Sequence, residues 1–575
     1  MDNEKIAKTL EQMANLMEFQ GANAFRLKAY RNGAKTIREF PESIAKLIEN
    51  DEDLTQFDGI GKSVAQKCSE LCETGRLEQM EQILKEVPRS VLDLLNIPKL
   101  GPKKAAALFN ELGVSSLDQL KAACEAGKVR ELSGFAAKTE ASILAGIEIA
   151  AAAGNRILWA AADKLVERLR THMQSCEQID QLEFAGSYRR GKETVGDLDM
   201  LVTSTNAEAV MDHLETFSEF GSVIVRGGTK MSIRTNEEFQ IDLRVVPEES
   251  FGAALQYFTG SKEHNVVVRG RAKEAGMRVN EWGVYKIDGD DQTWVAGKSE
   301  QDVYDALGLP VFHPELREDR GEFAWAENNV GPELIGLEDI QGDLHMHTTA
   351  TDGSASIEEM AAAAKENGLN FIAITDHSKR VAMANGLDAE RLLQQWEAID
   401  RFNQQQDDEF LVLKGIECDI LENGEMDLSD AVLAQADWVI ASLHYGQTQP
   451  RNQITDRIVG AIKNEHVSMV AHPTGRLLNR RPAYDVDMQA VFDAAVEHGK
   501  FLELNASPKR LDLNDIHLIA AKKRSIPIVI NTDAHSPAGL SNLRYGIKQA
   551  RRGQLTSSDV ANTWTWQEMK NRLTK

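Results

Sequence analysis

The sequence predicts a multidomain chain with a helical N-terminal region, an α+β middle region and a C-terminal distorted βα barrel. Up to about residue 155, glycine turns alternate with helix-forming segments. From about residue 180, alternating β-branched segments such as DLDMLVTS and FQIDLRVV predict strands. From Gly342 onward, short apolar strands alternate with amphipathic helices, which is typical of parallel βα units. The length of 575 residues allows this many domains.

Composition argues against a membrane-spanning chain and leaves the partner open. No apolar run reaches the roughly 18 residues of a membrane helix. The N-terminus lacks the apolar segment of a signal peptide, so we expect a cytoplasmic protein. The five cysteines lack the spacing of a zinc site and are expected to be reduced packing thiols. A net charge of −24 speaks against nucleic acid at first sight, but carboxylates that bind divalent cations are neutralised locally.

Three glycine turns in the N-terminal region predict helix-hairpin-helix DNA binding. They are Gly59-Ile60-Gly61, the turn ending at Gly101, and the turn at Gly134, and each precedes a helical stretch. Such turns present backbone amides that contact phosphates without reading sequence. A C-cap glycine would explain any one turn, but three in tandem favour the DNA-binding motif. We assign one helical domain to residues 1–85 and a helix-hairpin-helix subdomain to residues 86–155.

A basic glycine loop followed by an Asp-x-Asp strand predicts a nucleotidyl-transfer site in the middle region. The loop runs from Gly186 to Gly191, and Asp197 and Asp199 follow it. Because alternate residues of a strand share a face, these two carboxylates point the same way, and Asp242 of a later strand can supply a third. Three such carboxylates can hold two Mg²⁺ ions about 3.5–4 Å apart for an in-line displacement. An acidic turn after a basic loop is the alternative interpretation, but the full string is more specific than Asp-x-Asp alone.

This string, with Tyr257-Phe258-Thr259-Gly260-Ser261, resembles DNA polymerase beta and its family X relatives from residue 1 to about residue 313. The resemblance implies a palm at 156–250, a fingers-like nascent-pair-binding subdomain at 251–313, and a metal-binding triad of Asp197, Asp199 and Asp242. The remaining roles it implies are triphosphate binding by Ser187, Arg190 and Gly196, a sugar gate of Tyr257, Phe258 and Gly260, and minor-groove contacts by Asn265 and Arg269. Lone motifs of this superfamily also occur in RNA nucleotidyltransferases, but the YFTGS string with Asn265 favours DNA.

The same resemblance extends to the first helical domain, which is similar to the 8-kDa lyase domain of that family. Tyr30 and Arg26 match positions of its 5'-phosphate pocket, and Lys67 matches its Schiff-base lysine. The chain departs from the family at Ser63, where a further lysine is usual. Lys67 is therefore either the nucleophile of a 5'-deoxyribose phosphate lyase or an ordinary solvated lysine.

The C-terminal region carries a set of metal-ligating residue types at the ends of its predicted strands. An acidic, irregular segment at 314–341 is expected to be an interdomain linker, and residues 342–575 follow it. His345 and His347 lie on one face of the first strand and can ligate one ion. The full set of nine is His345, His347, Asp352, His377, Glu417, His444, His472, Asp533 and His535. We leave His466, His498 and His517 outside it, because they lie in or beside helical segments.

These motifs resemble the PHP domain, a metal-dependent phosphoesterase. The resemblance implies that the nine residues hold up to three metal ions, with Glu417 bridging two, and that the ions are Mn²⁺ or Zn²⁺. Since every position is filled by a competent ligand, we expect an active hydrolase. Attack of metal-activated water on a terminal phosphodiester would make it a 3'-5' exonuclease, and relatives also act at abasic sites.

The sequence therefore predicts a DNA-directed DNA polymerase that fills gaps in DNA repair and trims 3' ends. Its expected partners are gapped or primer-template DNA, deoxynucleoside triphosphates and Mg²⁺, and we expect a monomer. Two alternatives remain open. One is a PHP phosphatase of small phosphoesters with an accessory N-terminal half, and the other is a DNA-binding scaffold with an inactive polymerase.

Overall fold

The chain forms two compact units, one of Met1–Gly154 with Asn479–Arg481 and one of the remaining residues. The computed structural model describes residues 3–39, 44–50, 52–57, 59–88, 90–95, 97, 100–136, 139–140, 143–144, 147, 156–327, 331–406 and 410–573.

Helices separated by glycine turns build the N-terminal unit. Its helices are α1 (Asn3–Phe19), α2 (Ala24–Glu39), α3 (Ile44–Glu49), α4 (Lys62–Thr74), α5 (Glu78–Glu86), α6 (Val91–Leu94), α7 (Pro102–Leu112) and α8 (Leu117–Glu125). As predicted, α4 begins directly after Gly61 and α7 directly after Gly101. Gly59 and Gly134 have φ of +85° and +83°, which only glycine adopts without strain. Most of the helix predicted after Gly134 lies outside the described residues.

The middle region contains a five-stranded sheet whose strands lie at the predicted positions. The strands of this region are β1 (Ile157–Leu158), β2 (Gln181–Phe184), β3 (Thr194–Val195), β4 (Asp197–Thr203), β5 (Phe220–Arg226), β6 (Lys230–Thr235) and β7 (Gln240–Val246), and β1 and β3 pair with each other outside the five-stranded sheet. The helices are α9 (Trp159–Gln174), α10 (Gly186–Arg189) and α11 (Ala207–Glu215). The sheet order is β2-β4-β7-β6-β5, and β4 and β7 are parallel. Leu198 and Met200 of β4 and Ile241 and Leu243 of β7 enter one hydrophobic core, so the residues between them face the other side of the sheet.

Three helices and a small antiparallel sheet follow the five-stranded sheet. They are α12 (Phe251–Thr259), α13 (Lys262–Glu274), β8 (Met277–Asn280), β9 (Gly283–Asp288), β10 (Asp291–Ala296) and α14 (Glu300–Ala306). Ala253 of α12 packs with Ala272 of α13, Val279 of β8 and Val303 of α14 in a core of their own. This core fixes the angle between α12 and the three-stranded sheet.

The segment predicted as a linker, 314–341, packs tightly where the structure describes it. It contains the short helix α15 (Glu322–Glu327). Arg317 is fully buried and donates to the carbonyl oxygen of Phe312, with Nε–O and Nη2–O distances of 3.0 and 2.8 Å. Glu322 is also fully buried and lies 3.0 Å from the Nδ1 atom of His264 in α13. These contacts attach the segment firmly to the subdomain before it.

The C-terminal region is a nearly closed barrel of seven parallel strands. The strands are β11 (Gly342–Met346), β12 (Phe371–Ile374), β13 (Leu411–Asp419), β14 (Trp438–Ser442), β15 (Met469–Val470), β16 (Phe501–Asn505) and β17 (Ile528–Asn531), in that order around the sheet. A parallel bridge between Met346 and Ala534 joins its two ends. The helices are α16 (Ile357–Glu366), α17 (Ala389–Gln404), α18 (Asp430–Leu433), α19 (Arg451–Lys463), α20 (Met488–Glu497), α21 (Asp515–Lys522), α22 (Leu543–Arg552) and α23 (Trp566–Leu573).

Alternate residues of the barrel strands enter two different cores. Ile372 and Val439 belong to the larger core, which also takes residues from the surrounding helices. Ala373, Leu413 and Ile440 belong to a smaller core built mainly from the strands. This period of two confirms the predicted βα barrel and identifies the inward face of each strand.

Within the described residues, no helix combines the length and the apolar character that crossing a membrane requires. The five cysteines are free thiols, and four of them are buried.

Candidate active sites

Two parallel strands bring together the three carboxylates of the middle region. In the register of β4 and β7, Asp199 lies directly beside Asp242, and Asp197 lies beside Gln240. All three aspartates lie on the sheet face opposite the main palm core, as the strand alternation predicts. Gln240 holds one oxygen of the group, since its Nε2 donates to Asp242 Oδ1 at 2.9 Å.

The electrostatics of this triad favour a bound cation. Burial, together with the charges of the adjacent Asp197 and Asp242, raises the pKa of Asp199 to about 7. Burial and Asp242 likewise raise the pKa of Asp197. Lys230 offsets part of this repulsion, with Nζ 3.8 Å from Asp242 Oδ2. Carboxylates that repel one another at a half-buried position are the donor set that divalent ions neutralise.

The glycine loop reaches the triad through backbone contacts. Gly186 begins α10 with φ +62°, and a Cβ at this position would collide with Asp199 Oδ2. Ala185 N donates to the carbonyl oxygen of Asp199 at 2.8 Å, which fixes the loop beside β4. Ser187 lies within this helical turn. Gly196 leaves room for the guanidinium of Arg156, whose Nη1 would lie 3.0 Å from a Cβ there.

Arg190 connects this loop to the YFTGS string. Its Nη1 donates to the carbonyl oxygen of Thr259, and a Cβ on Gly260 would lie 3.2 Å from the same atom. Its Nε donates to Glu318 at 3.1 Å. The predicted triphosphate arginine and the predicted sugar-gate turn are therefore in direct contact.

The other predicted substrate residues lie on α12 and α13. Asn265 is buried, and its side chain donates to the carbonyl oxygen of Tyr257 and accepts from Gln256, both at 2.8 Å. Phe258 is half-buried beneath the guanidinium of Arg244, 4.1 Å from its ring centre. Arg269 is exposed on α13. Tyr257 and Arg269 line one cavity of about 380 Å³.

All nine predicted ligands of the barrel converge on one cluster, and Glu417 lies at its centre. Glu417 Oε2 lies 2.8 Å from His377 Nδ1 and 3.5 Å from His345 Nε2. Its other oxygen, Oε1, lies 3.1 Å from His472 Nε2 and 3.4 Å from His444 Nε2. Glu417 lies on the inward face of β13, because it alternates with Ile416, which belongs to the outer core.

The remaining ligands complete the same cluster. His347 Nε2 lies 3.2 Å from Asp533 Oδ1, and Asp352 Oδ2 lies 3.5 Å from His535 Nε2 and 3.6 Å from His377 Nε2. Donor atoms within 4.8 Å of one another form three groups. They are His347, Asp352, His377 and His535; His345, His347 and Asp533; and His377, Glu417 and His444.

Several donor atoms of this cluster are buried and make no hydrogen bond of normal geometry, although some of them lie close to another ligand, which fits metal ligation. They are His345 Nε2, His347 Nδ1, His377 Nδ1, His472 Nδ1 and Glu417 Oε2. Burial and the neighbouring histidines lower the pKa of His347 to about 4, so its imidazole is neutral and can ligate. Although burial alone would lower it, Glu417 and Asp352 raise the pKa of His377 to about 10. A divalent cation would displace the proton held by His377 and would coordinate the buried atoms that lack a hydrogen bond.

Outer residues that the motif search missed orient the ligands. Glu503 of β16 lies 2.7 Å from His345 Nδ1 and accepts the backbone amide of His472 at 2.7 Å. Asp419 of β13 lies 3.2 Å from His444 Nδ1 and pairs with Arg380 at 2.9 Å. The sequence carried a signal for both residues. Glu503 in FLELN and Asp419 in IECD lie at alternate strand positions that face into the barrel, and Asp419 is two residues after Glu417.

The predicted lyase residues lie on α2 and α4 of the N-terminal unit. Lys67 Nζ pairs with Glu70 at 2.5 Å. Tyr30 is buried, and its hydroxyl lies 3.4 Å from Ser63 Oγ. Arg26 is exposed and donates to Gln79 at 3.2 Å. Gly59, Gly61, Gly101 and Gly134 are all exposed, as phosphate contacts require.

Family models match successive segments of the chain. They are described as a helix-hairpin-helix domain (1–77), a SAM-like helix-hairpin-helix tandem (91–148), a DNA polymerase beta palm (156–231), a DNA polymerase beta thumb (254–318) and a PHP domain (343–507).

Curated proteins match either the whole chain or one part of it. The chain is 39% identical over 565 residues to the DNA polymerase/3'-5' exonuclease PolX of Bacillus subtilis (strain 168), covering 98% of this chain and 97% of that protein. It is 26% identical over 346 residues to DNA polymerase lambda of Rattus norvegicus, covering 55% of this chain and 56% of that protein. A probable phosphatase of Thermoanaerobacter sp. (strain X514) is 31% identical over 236 residues, covering 38% of this chain and 89% of that protein.

Proposed function

This chain belongs to the family X DNA polymerases that carry a C-terminal PHP domain, and we propose how its residues carry out the two activities of that family. It is a DNA-directed DNA polymerase with a 3'-5' exonuclease. The predicted type of enzyme, a DNA polymerase with a PHP domain and a 3'-5' exonuclease, is thereby confirmed. The residue roles and the identity of the ions are our proposal.

In the polymerase site, Asp197, Asp199 and Asp242 hold two Mg²⁺ ions. Bound there, the ions supply Lewis acidity for the attack of the primer 3' hydroxyl on the α-phosphate and for the departure of pyrophosphate. The register of β4 and β7, which places Asp199 directly beside Asp242 with Asp197 on the same face, is the observation that carries this assignment. Gln240 keeps Asp242 oriented through its hydrogen bond at 2.9 Å.

The residues around the triad bind the nucleotide. Ser187 and Arg190 bind the triphosphate from the loop of α10, and Gly196 contributes its backbone amide beside the guanidinium of Arg156. Tyr257, Phe258 and Gly260 form the sugar gate at the end of α12. Asn265 and Arg269 probe the minor groove from α13.

In the exonuclease site, the nine barrel ligands would hold up to three ions of Mn²⁺ or Zn²⁺, and Glu417 at the centre of the cluster would be a ligand shared between ions. The ions supply Lewis acidity that activates water and neutralises the scissile phosphodiester. Glu503 fixes the ring of His345 and the backbone of His472, and Asp419 fixes the ring of His444. The concentration of unpartnered donor atoms around Glu417 is the observation that carries this assignment.

The biological substrate we propose is gapped or nicked DNA in repair, bound by a monomer. The exposed glycine turns at Gly59, Gly101 and Gly134 grip the sugar-phosphate backbone on either side of the gap. The same barrel site cleaves at abasic positions, because hydrolysis of an internal phosphodiester requires the same ligands. Lys67 acts on 5' abasic ends as the lyase nucleophile after it leaves Glu70.

Reciprocal mutations test whether the polymerase and exonuclease activities use separate sites. Asp242→Ala should reduce primer extension at least about 1000-fold and leave degradation of a 3'-labelled strand intact, since several kcal/mol of charge stabilisation are lost at one site only. His345→Ala should do the reverse. Asp212→Ala, at an exposed palm carboxylate, and His466→Ala, outside the nine ligands, are the matched controls. Loss of both activities in either folded active-site variant would contradict two separate sites.

A further inference from the structure

Helix α22 of the PHP domain lies between the barrel core and the glycine loop of the palm. Leu543, Ile547 and Ala550 belong to the large barrel core. Tyr545, on the other side of the helix, packs with Ala160 of the palm in a separate small cluster. One helix is thus shared by the two catalytic domains.

The palm-facing side of α22 contacts the glycine loop directly. Lys548 packs on Gly191, where a Cβ would lie only 2.6 Å from Lys548 Cγ. Gln549 Nε2 donates to Glu193 Oε1 at 2.8 Å. Arg552 Nη1 donates to the carbonyl oxygen of Arg190 at 2.8 Å. The loop that carries Ser187 and Arg190 therefore rests on a surface made by the other domain.

Arg552 and Arg190 also share one carboxylate. Glu318 Oε1 accepts from Arg190 Nε at 3.1 Å and from Arg552 Nη1 at 2.9 Å. The second nitrogen of Arg552, Nη2, donates to Asp515 of α21 at 2.6 Å. The side chain of Arg552 is 1% exposed and that of Glu318 is 9% exposed. A buried charge network of this kind has one low-energy geometry, because removing a member leaves an uncompensated charge away from water.

The opposite side of Arg190 lies against the sugar-gate turn. Its Nη1 donates to the carbonyl oxygen of Thr259. Arg190 is therefore held between the nucleotide pocket on one side and the Glu318–Arg552 pair on the other. A shift of Arg552 would be passed to Arg190 through its backbone carbonyl and through Glu318 at the same time.

We propose that Arg552 of the PHP domain is a positioning residue for the polymerase reaction, which holds Arg190 in the orientation that binds the incoming triphosphate. The proposal rests on the triphosphate-binding role assigned above to Arg190. Through this contact, the nuclease domain sets the nucleotide affinity of the polymerase without touching the substrate.

The test is the KM for the deoxynucleoside triphosphate in single-nucleotide insertion by the full-length chain. Arg552→Ala should raise this KM about tenfold, the effect of losing hydrogen bonds to a charged group. Exonuclease activity of the same preparation should be unchanged, and it reports that the barrel is folded. Arg551→Ala is the matched control, since Arg551 lies on the same helix and bonds Glu315 and Ile335 instead of the loop. Arg551→Ala should leave the KM at the wild-type value.

A double-mutant cycle distinguishes positioning from general weakening of the interface. If Arg552 acts through Arg190, Arg552→Ala should change the KM less than about twofold when Arg190 is already alanine. An additive effect in that background, or an equal effect of Arg551→Ala, would overturn the inference.

The single variant Arg190→Ala separates the two claims. If Arg190→Ala raises the KM strongly and Arg552→Ala leaves it unchanged, only the inference about Arg552 is overturned. An unchanged KM in Arg190→Ala overturns the assigned role of Arg190, and the inference falls with it. If Arg552→Ala lacks exonuclease activity because it does not fold, Arg552→Lys takes its place. Lysine keeps the buried charge, but its single nitrogen cannot occupy the positions of both Nη1, which bonds Arg190 and Glu318, and Nη2, which bonds Asp515. The KM comparisons described for Arg552→Ala then apply to Arg552→Lys.

Discussion

The magnesium requirement of the polymerase site should depend on pH, because Asp199 titrates near neutrality. Burial and the charges of Asp197 and Asp242 together raise the pKa of Asp199 to about 7. Below that pH the carboxyl is protonated and is not an anionic ligand, so protons compete with Mg²⁺. Above it the triad carries its full negative charge. Magnesium affinity should therefore fall as the pH falls.

The size of the effect follows from the pKa. With a pKa of about 7, the ionised fraction of Asp199 falls from roughly 0.9 at pH 8 to roughly 0.1 at pH 6. The half-saturating Mg²⁺ concentration for insertion of one nucleotide should be about tenfold higher at pH 6 than at pH 8. The assay is single-turnover insertion on a primer-template with saturating nucleotide, measured over a magnesium series at pH 6, 7 and 8.

A charge variant distinguishes a pH dependence that comes from the protein from one that comes from the substrate, whose hydroxyl and phosphates also titrate. Lys230 lies 3.8 Å from Asp242 and helps to lower the pKa of Asp199. Lys230→Met should raise the pKa of Asp199, so that the rise in magnesium requirement on acidification begins at a higher pH in the variant than in the wild type. Substrate titration is common to both enzymes and cancels in the difference. Equal magnesium curves at pH 6 and pH 8, or superimposable curves for the two enzymes, would refute the reasoning.

Further predictions concern the nuclease site, DNA binding and the lyase. Glu417→Gln, which removes the charge shared by the surrounding histidines without changing volume, should lower bound metal and 3'-end degradation more than about 100-fold, with exposed Glu425→Gln as the control. Metal content and degradation rate check it, and a fully loaded, active variant would contradict the central role of Glu417. DNA affinity should fall as the salt concentration rises, because the glycine-turn amides and basic side chains bind phosphates and release counterions. Binding measured from low to high salt checks this, and an affinity that does not change with salt would argue against contacts with the DNA backbone. Borohydride trapping on a 5' abasic end should give an adduct with wild type and with Glu70→Gln but not with Lys67→Ala, and equal adducts in all three would exclude Lys67.

Strand alternation and strand-end position identify candidate ligands in both sites, and the resemblance to the PHP domain selected the nine barrel ligands among them. Asp197 and Asp199 share a face by strand alternation, whatever surrounds the strand. His345 in β11 and His347 just after it do the same, and most of the other barrel ligands follow the ends of strands, which parallel strands bring to one edge. The positions of these side chains are consequences of local backbone geometry and of the order of the strands.

Contacts between distant segments could not be predicted in this way. Glu318 and Arg552 are separated by 234 positions, and Glu193 and Arg476 by 283, so no periodicity links their sequences. The acidic segment 314–341 was assigned as a linker from its composition. Its carboxylates instead include Glu315, paired with Lys548 at 2.9 Å and Arg551 at 3.1 Å. Composition alone does not distinguish a solvated carboxylate from one that is buried in an ion pair.

The same distinction explains how a chain with a net charge of −24 can act on DNA. Asp197, Asp199 and Asp242, and the carboxylates of the barrel cluster, lie where divalent ions bind. Two ions in one site and up to three in the other would add about ten positive charges at the surfaces that DNA approaches. Other carboxylates, among them Glu193 and Glu318, are neutralised by arginines inside the protein. The electrostatic potential at the surface that binds DNA depends on the metal-occupied sites and on the exposed basic residues. Removal of the metal ions should therefore weaken DNA binding as well as stop both reactions. Binding measured with and without a chelator, at one ionic strength, checks this, and equal affinities would mean that the metal charge plays no part in recruiting DNA.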